Sequence, residues 1–443
     1  MLVKFIQYLE NVQRKEEFMS TEIKKNSPIY QGSDVLKPEN ERAVSDIIKE
    51  TYKKNLPIEI IGSNTKKFIG YNLQTAKTLE FSNLSGIVEY IPEELYIKVK
   101  AGTPLELIED TLEKNNQQLA FEPIDFGYMA NGTSKKGTIG GYVACNFAGS
   151  RRFKFGSVRD HILGFRGVNG KGDIIKSGGT VVKNVTGYDL SKLISGSFGT
   201  LVALTEITLK VYPKKVSQST IAIHTEDIKK ISVLFDKILS SSNEISGSVF
   251  IPNEPKNNKY ELNKNKIFKF NDLKYEDSFL AFRLEGDKKS IEERKRDLEK
   301  ELELKKYKIS TLDVYQSVPF WKKVNNLELF SNTKNNILRV VIPPISNRIL
   351  MKYLKNKFKY FIDWSGSIFW IEVVDKDQIK IKEIKKLILD MKGYLTIIKR
   401  SENFNFEETL FTIDENKLLI SKKIKESFDP KRIFNPGKMY KEF

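Results

Sequence analysis

Apolar positions in the first half of the chain come in short runs rather than long stripes. Val44, Ile47, Ile48 and Tyr52 recur at helical spacing behind Pro38, which predicts a helix opened by that proline. Ile58, Glu59, Ile60 and Ile61 read as a short apolar strand running into Gly62-Ser63-Asn64-Thr65. Tyr96 to Ala101 alternates and predicts a second strand. Thr103-Pro104-Leu105-Glu106 behind it has the form of a capping box, with Thr103 capping and Glu106 reaching back. The helix that follows should bury Leu105, Ile108 and Leu112. His161 to Val168 and Asp173 to Lys176 flank Asn169-Gly170, which predicts a hairpin. A strand from Val202 to Tyr212 ends this region at Pro213.

Beyond Pro213 the pattern alternates between helices and strands. Helices are predicted over Glu226 to Ser240, Lys288 to Lys305, Ser346 to Lys357 and Asp377 to Lys392. Strands are predicted over Phe279 to Leu284, Leu338 to Ile342 and Ser367 to Val373. This alternation, with antiparallel pairing open to it, predicts a ferredoxin-like unit. No internal repeat is visible. Asn253 to Asn265 is polar and reads as a surface loop. At the N-terminus Leu2, Phe5, Ile6, Leu9 and Val12 are spaced for an amphipathic helix over Met1 to Phe18, against the plainer reading of a frayed terminus.

The first half is therefore mixed α+β with hairpins. It lacks the strand–helix repeat and the GxGxxG turn of a doubly wound dinucleotide fold. Composition removes further classes. The chain has 443 residues and 74 basic against 57 acidic side chains, a net charge of +17. The excess is mostly Lys spread along the chain, not an Arg and aromatic cluster, so no nucleic-acid partner is expected. One Cys, Cys145, excludes an intramolecular disulfide and an iron–sulfur cluster held by this chain alone. Two His, His161 and His224, speak against a His-built metal site, and none is expected. No segment nears the roughly 20 apolar residues of a membrane span.

Two glycine stretches could hold an anion. Gly62-Ser63-Asn64-Thr65-Lys66 ends a strand, and Gly137-Thr138-Ile139-Gly140-Gly141 precedes a helical segment of small residues. Glycine lets backbone N–H groups turn inward without a Cβ in the way. Each stretch alone is better explained by a structural tight turn. Together, with Gly149, Gly156, Gly196 and Gly199, they suit one extended anionic ligand such as a dinucleotide.

The run from Gly178 to Leu193 (GGTVVKNVTGYDLSKL), Ser195 to Thr200 (SGSFGT), Thr205 to Lys210 (TEITLK) and the closing FDPKRIFNPGKMY resemble the FAD-linked oxidases of the vanillyl-alcohol-oxidase type, also called PCMH-type. With GSNTKKFIG, AGTPLELIED, LAFEP and SRRFKFGSVRDHILG, the chain is most similar within that group to the family of FAD-binding subunits of bacterial glycolate oxidases. The resemblance implies an α+β chain: an N-terminal extension (1–27), a two-lobed FAD domain (28–213), a ferredoxin-like cap (214–425) and a C-terminal segment returning to the FAD domain (426–443). It implies FAD between the lobes. Gly62, Ser63, Asn64 and Thr65 would face the pyrophosphate. Gly137, Thr138, Gly140 and Gly141 would line the same groove, with Pro123 before it. Gly196, Gly199 and Thr200 would approach the adenine end and the ring edge. The first loop lacks the His often used for covalent attachment, so noncovalent FAD is expected.

The resemblance also implies a flavoprotein subunit that supports oxidation of glycolate, a small 2-hydroxy acid. Electrons would pass to a catalytic flavoprotein subunit and an iron–sulfur subunit. The location implied is cytoplasmic, with any contact to the inner membrane made through partners. The HxGDGNxH stretch of related catalytic chains is absent. Arg339 is the candidate for facing the ligand side of the flavin, against a structural ion pair. His161 reads as structural, His224 as solvated at the start of a helix, and Arg151 and Arg152 as partner contacts or loop charges. Tyr188, Asp189 and Lys192 read as fixing the fold. Two alternatives stay open: an autonomous FAD-dependent 2-hydroxy-acid dehydrogenase, and a flavin fold kept as a scaffold.

Overall fold

The computed structural model describes residues 34–180, 188–253, 278–404 and 409–443. The expected N-terminal helix, residues 254–265 of the polar loop and residues 181–187 of the glycine-led run lie outside them.

Three parallel strands form the first lobe: β1 (Asp34–Leu36), β2 (Ile58–Ile61) and β3 (Lys77–Glu80), in the order β1-β3-β2. A helix over Glu41–Lys54 connects β1 to β2 and buries Val44 and Ile48 against Ile58, Leu79 and Phe81. Its cap is Asn40, whose side chain accepts from the Ala43 N–H. Pro38 therefore lies ahead of the helix and not in its first turn, because Asn40 supplies the capping oxygen the proline lacks.

In chain order follow β4 (Ile87–Ile91), β5 (Tyr96–Lys100), the two-residue β6 (Gln117–Gln118), β7 (Ile162–Asn169), β8 (Ile174–Gly178), β9 (Val202–Lys210) and β10 (Tyr212–Pro213). Five of them form an antiparallel sheet, β4-β5-β9-β7-β8, and β6 pairs with β10. The helix Leu105–Glu113 buries Leu105, Ile108 and Leu112 against this sheet, as the periodicity predicts. The capping box does not form. The helix starts without a side-chain cap, and the Thr103 hydroxyl instead accepts from Gly86 N–H and donates to the Lys100 carbonyl. The β7–β8 hairpin is present, with a longer turn in which Asn169 accepts from Lys171 N–H and Asp173 N–H.

The rest of the chain builds one eight-stranded antiparallel sheet. Its strands are β11 (Ser217–His224), β12 (Gly247–Ile251), β13 (Phe279–Gly286), β14 (Lys308–Leu312), β15 (Asn336–Val341), β16 (Lys359–Asp363), β17 (Ile368–Val373) and β18 (Tyr394–Lys399). Their order is β14-β11-β13-β12-β16-β17-β15-β18. The first four strands, with helices Ile228–Ser240 and Lys288–Glu301, make one β-α-β-β-α-β unit. The last four, with helices Asn347–Leu354 and Ile379–Asp390, make another. They join edge to edge where Phe250 of β12 pairs with Ile362 of β16. The ferredoxin-like motif thus occurs twice, a repeat of architecture that leaves no repeat in sequence.

A final helix, Glu415–Phe428, and the tail return to the first lobe. Phe434 bridges to Ile58 in parallel, and Ile60 N–H donates to Asn435 Oδ1 at 2.8 Å. The fully buried Lys425 ammonium donates to the carbonyls of Thr200 (2.7 Å) and Phe434 (2.9 Å) and to Asp429 (2.7 Å). The irregular tail is held as firmly as a strand.

Candidate functional site

Strand β2 ends at Ile61, and the chain turns at once into Gly62. There it meets the second glycine stretch face to face. A Cβ on Gly62 would stand 2.0 Å from Thr138 Oγ1, and one on Gly137 would stand 2.6 Å from Thr65 Oγ1. Each loop places a glycine where the other places a threonine. The helix Ile139–Cys145 then leads away, tied by Gly140 N–H to the Ala101 carbonyl at 2.8 Å.

These loops wall a cleft with about 840 Å³ of empty space, open to solvent. Glu59 to Lys67, Thr138, Gly140, Gly141, Ala144 and Cys145 line one part. Phe81, Ala101, Val202 and Leu204 line the apolar part, and Phe198, Gly199, Asn435 and Lys438 complete the wall. Gly199 has φ +71°, which frees its backbone to pass the Asn435 side chain. Asn435 Nδ2 donates to Phe198 O at 2.9 Å, so the returning tail is part of the cleft.

The cleft is cationic. Lys66 and Lys438 both line it, and burial pushes both ammoniums below their ordinary value. Lys66 Nζ lies 3.8 Å from the centroid of the Tyr142 ring, and Lys438 Nζ donates to the Lys67 carbonyl at 3.2 Å. Burial pushes the Cys145 thiol up, against the attraction of Lys66 and Lys438, which favours its protonated form.

Where the eight-stranded sheet meets the first half of the chain lies a second group of polar residues. Arg339, on β15, does not form the expected ion pair. Its guanidinium packs over Phe147 (5.6 Å) and Trp364 (5.3 Å), while Arg152 covers Trp364 as well (4.8 Å). Burial, with Arg152 adding repulsion, pushes Arg339 down to about 10. Phe147 meets Phe198 of the cleft edge-on. Arg151, unlike a loop charge, is buried with Glu122, Arg283 and Glu285. Arg151 reaches Glu122 at 3.1 Å and Glu285 at 2.5 Å, and Arg283 reaches Glu122 at 2.8 Å. Burial opposes ionisation of Glu285, yet Arg283 and Arg151 outweigh it and hold the carboxyl at about 2.

Of the residues singled out in the sequence, Gly62, Ser63, Asn64, Thr65, Thr138, Gly140, Gly141 and Gly199 share the cleft wall. Gly137 stands behind it against Thr65. Gly196 and Thr200 lie off the wall, in the turn that carries Gly199, where the Thr200 hydroxyl donates to Ser197 O. Pro123 lines a separate cavity beside the four-charge cluster. His161 is buried against Phe121 and Tyr212. His224 does not start a helix; it ends β11, with Nε2 2.9 Å from Ser310 Oγ. Asp189 caps the helix Leu190–Ile194, whereas Tyr188 is 91% exposed. Lys438, Asn435 and Phe198 belong to the cleft without having been singled out. The tail lysine and asparagine are more than 350 residues from Lys66 in the chain, and only the fold brings them there.

A family model described as an FAD binding domain matches residues 33–178. Glycolate oxidase subunit GlcE of Escherichia coli is 30% identical over 404 residues, covering 90% of this chain and 97% of that one. Glycolate oxidase subunit GlcD of Bacillus subtilis is 32% identical over 219 residues, about half of either chain (48% and 45%). Among solved structures, 4-ethylphenol oxidase from Gulosibacter chungangensis superposes with a TM-score of 0.65 at 12% identity, over 93% of this chain and 91% of that one. An alkyldihydroxyacetonephosphate synthase does so with 0.60 at 15% identity, over 91% and 76%. At such identities these two speak for the fold alone.

Proposed function

The chain belongs to the family of FAD-linked oxidases that includes glycolate oxidase subunit GlcE, and from that premise we propose that it is the FAD-holding subunit of a multi-chain enzyme oxidising a small 2-hydroxy acid such as glycolate. The observation that carries this reading is the interlock of the two glycine loops along one cationic cleft. Bare backbone at Gly141 gives a diphosphate close approach, Gly62 lets the two loops meet, the apolar wall at Phe81, Val202 and Leu204 suits an aromatic ring system, and the tail closes the groove.

When bound, FAD supplies the two-electron acceptor for a CH–OH group. The chain's own residues hold and orient it. Gly62 to Thr65, Gly140 and Gly141 would hold its diphosphate, and Gly199 and Phe198 complete the cleft wall. Holding is noncovalent in this proposal. The first loop offers no His, and Cys145 is kept as a thiol by burial. Oxidation of the acid itself needs a carboxylate cation and a proton acceptor near the flavin. Both His side chains are committed elsewhere, His161 in the core and His224 to Ser310. The proposal therefore assigns substrate oxidation and electron exit to partner chains, a second flavoprotein and an iron–sulfur protein, with this chain required for the assembly. No helix among the described residues is long and apolar enough to cross a membrane.

A second reading is favoured by one observation. Arg339 is desolvated beside the cleft's aromatic edge with no carboxylate in ion-pair distance among the described residues. It could receive a substrate carboxylate, which would make the chain an autonomous dehydrogenase. Adding glycolate to the isolated, FAD-loaded chain under anaerobic conditions separates the readings. Unchanged flavin absorbance supports the subunit role; bleaching that is lost in Arg339→Met supports the second. A purified chain without flavin, and unable to take it up, would leave only the scaffold.

A further inference from the structure

We infer that Lys66 is the counter-ion of the cofactor's diphosphate, a cation set in the crook of the two glycine loops; this rests on the FAD reading above. Lys66 follows Gly62-Ser63-Asn64-Thr65 directly, so its backbone is positioned by the loop that interlocks with Thr138. Its side chain folds back under the second loop. A Cβ on Gly137 would lie 3.0 Å from Lys66 Nζ, and one on Gly141 would lie 3.9 Å away. The charge therefore sits against the bare backbone of the second loop, and Lys66 and Gly141 both line the cleft.

Nothing in the described part of the chain neutralises it at contact distance. Its near neighbour is the face of Tyr142, whose hydroxyl is occupied by the Ile124 carbonyl at 3.1 Å. Asp125 acts on Lys66 only through space. The Asp125 oxygens are taken by Gly127 N–H, Lys135 N–H and the Ser134 hydroxyl. Withdrawing an ammonium from water without an anion is costly, and the cost is recovered when an anion completes the pair. The anion that fits must reach between two glycine loops and carry its charge on small oxygens, which describes a phosphate ester rather than a protein carboxylate. Lys438 lines the same cleft as a second ammonium, attracted through space by Glu59, which lines it too. Lys66 is in this view a binding residue, without a part in hydride or proton transfer.

The test uses the full-length chain freed of flavin, titrated calorimetrically with FAD and, separately, with inorganic pyrophosphate. Lys66→Met keeps the stem over Tyr142 and removes the charge; Lys66→Arg keeps the charge. The Met variant, folded by circular dichroism, should lose about 10- to 100-fold in FAD affinity and lose pyrophosphate binding. The Arg variant should stay within a few-fold of wild type, and riboflavin, which has no phosphate, should not distinguish the three. A folded Met variant that binds FAD and pyrophosphate like wild type overturns the inference. Should Met fail to fold, Lys66→Gln is read in the same way. Failure of the FAD reading looks different: wild type would bind pyrophosphate through Lys66 and yet take up no FAD.

Discussion

Gly62 and Thr138 stand so close that a Cβ on the glycine would lie 2.0 Å from the threonine hydroxyl oxygen, and Thr65 and Gly137 repeat the relation in reverse. Two loops more than 70 residues apart in the chain are thereby one surface. Neither glycine could be replaced without parting the loops, and parting them would open the cleft that both wall.

The two glycines at the start of the following helix should separate packing from binding. A Cβ on Gly140 would press 2.8 Å from the Ala101 carbonyl oxygen, against the end of β5. A Cβ on Gly141 meets nothing nearer than 3.7 Å and points toward Thr138 and Lys66 in the cleft. Gly140→Val should therefore lower stability and flavin content together, by about 1–3 kcal/mol in the former. Gly141→Val should fold normally and lose most of its flavin. The ratio of flavin to protein absorbance, set beside thermal melting by circular dichroism, checks this. A normal flavin ratio in Gly141→Val would reduce that glycine to a turn residue.

Much of this surface was legible in sequence because its signals are local. Gly62 to Thr65 follows an apolar run that is β2 residue for residue, and the apolar spacing of Leu105, Ile108 and Leu112 survives as a buried face. What failed were signals that tertiary contacts outbid. Thr103 looks like a cap, but its hydroxyl satisfies Gly86 and Lys100 instead. Strands β12 and β16 are buried at every position, so they show no alternation to read. Arg151 sits in a charged run and Arg339 in an apolar strand, and neither run names its partner; Glu285 and Trp364 come from other segments.

The four-charge cluster should act as the clasp between the two halves of the molecule. Glu122 and Arg151 come from the first half, Arg283 and Glu285 from β13. Arg283 is 1% exposed and also donates to the Ser246 carbonyl. Arg283→Met would leave two buried carboxylates with one cation, at a cost of about 3–5 kcal/mol. Urea unfolding should show that loss. A change under about 1 kcal/mol would mean that Arg151 alone neutralises both acids.

Asp363 should make stability fall as pH rises toward neutrality. Ser150 N–H donates to Asn325 Oδ1 at 3.0 Å, which fixes that oxygen toward Ser150. The Ser150 hydroxyl then lies 2.9 Å from the same oxygen and 2.6 Å from Asp363 Oδ2. One hydroxyl proton cannot serve both, so Asp363 supplies the other. Burial pushes Asp363 up to about 7, against hydrogen bonds from Ser150 and Trp364 N–H and the attraction of Arg283, and with Glu122 adding repulsion. Between about pH 4 and pH 7 the native state thus holds a proton that the unfolded chain has lost, and stability declines with rising pH. Asp363→Asn removes the titration and keeps a donor. Relative to it, wild type should lose up to about 4 kcal/mol across that window. Parallel stability curves for the two proteins would refute a protonated Asp363.

Flavin should leave the chain on denaturation. Attachment through sulfur needs a thiolate, and burial keeps Cys145 protonated despite the attraction of Lys66 and Lys438. Acid precipitation of the yellow protein should put all flavin in the supernatant. Flavin retained on the pellet in wild type and released in Cys145→Ser would show that those lysines prevail after all.

Expressed alone, the chain should not reduce an artificial dye with glycolate at a useful rate, and it should be required for that activity alongside its partners. Taking a hydride from a hydroxyl-bearing carbon demands a group to accept the hydroxyl proton, and neither His is free to do so. His161 is 1% exposed with Nε2 on the Phe155 carbonyl, and burial pushes it below its ordinary value. His224 is held at the far end of β11 by Ser310. Asp363, the raised carboxyl near Trp364, is engaged at both oxygens, by the Ser150 hydroxyl and by Trp364 N–H. The chain also holds no iron–sulfur relay of its own, because one Cys cannot ligate a cluster. A chain with a built cofactor cleft, no histidine base among the described residues and no cluster of its own fits the proposal that partners supply both functions. Coexpression with a second flavoprotein and an iron–sulfur protein should restore glycolate-dependent dye reduction, and Gly141→Val in this chain should depress it without dissolving the complex on gel filtration. Strong dye reduction by the isolated, FAD-loaded chain would sink the subunit reading and transfer the carboxylate to Arg339.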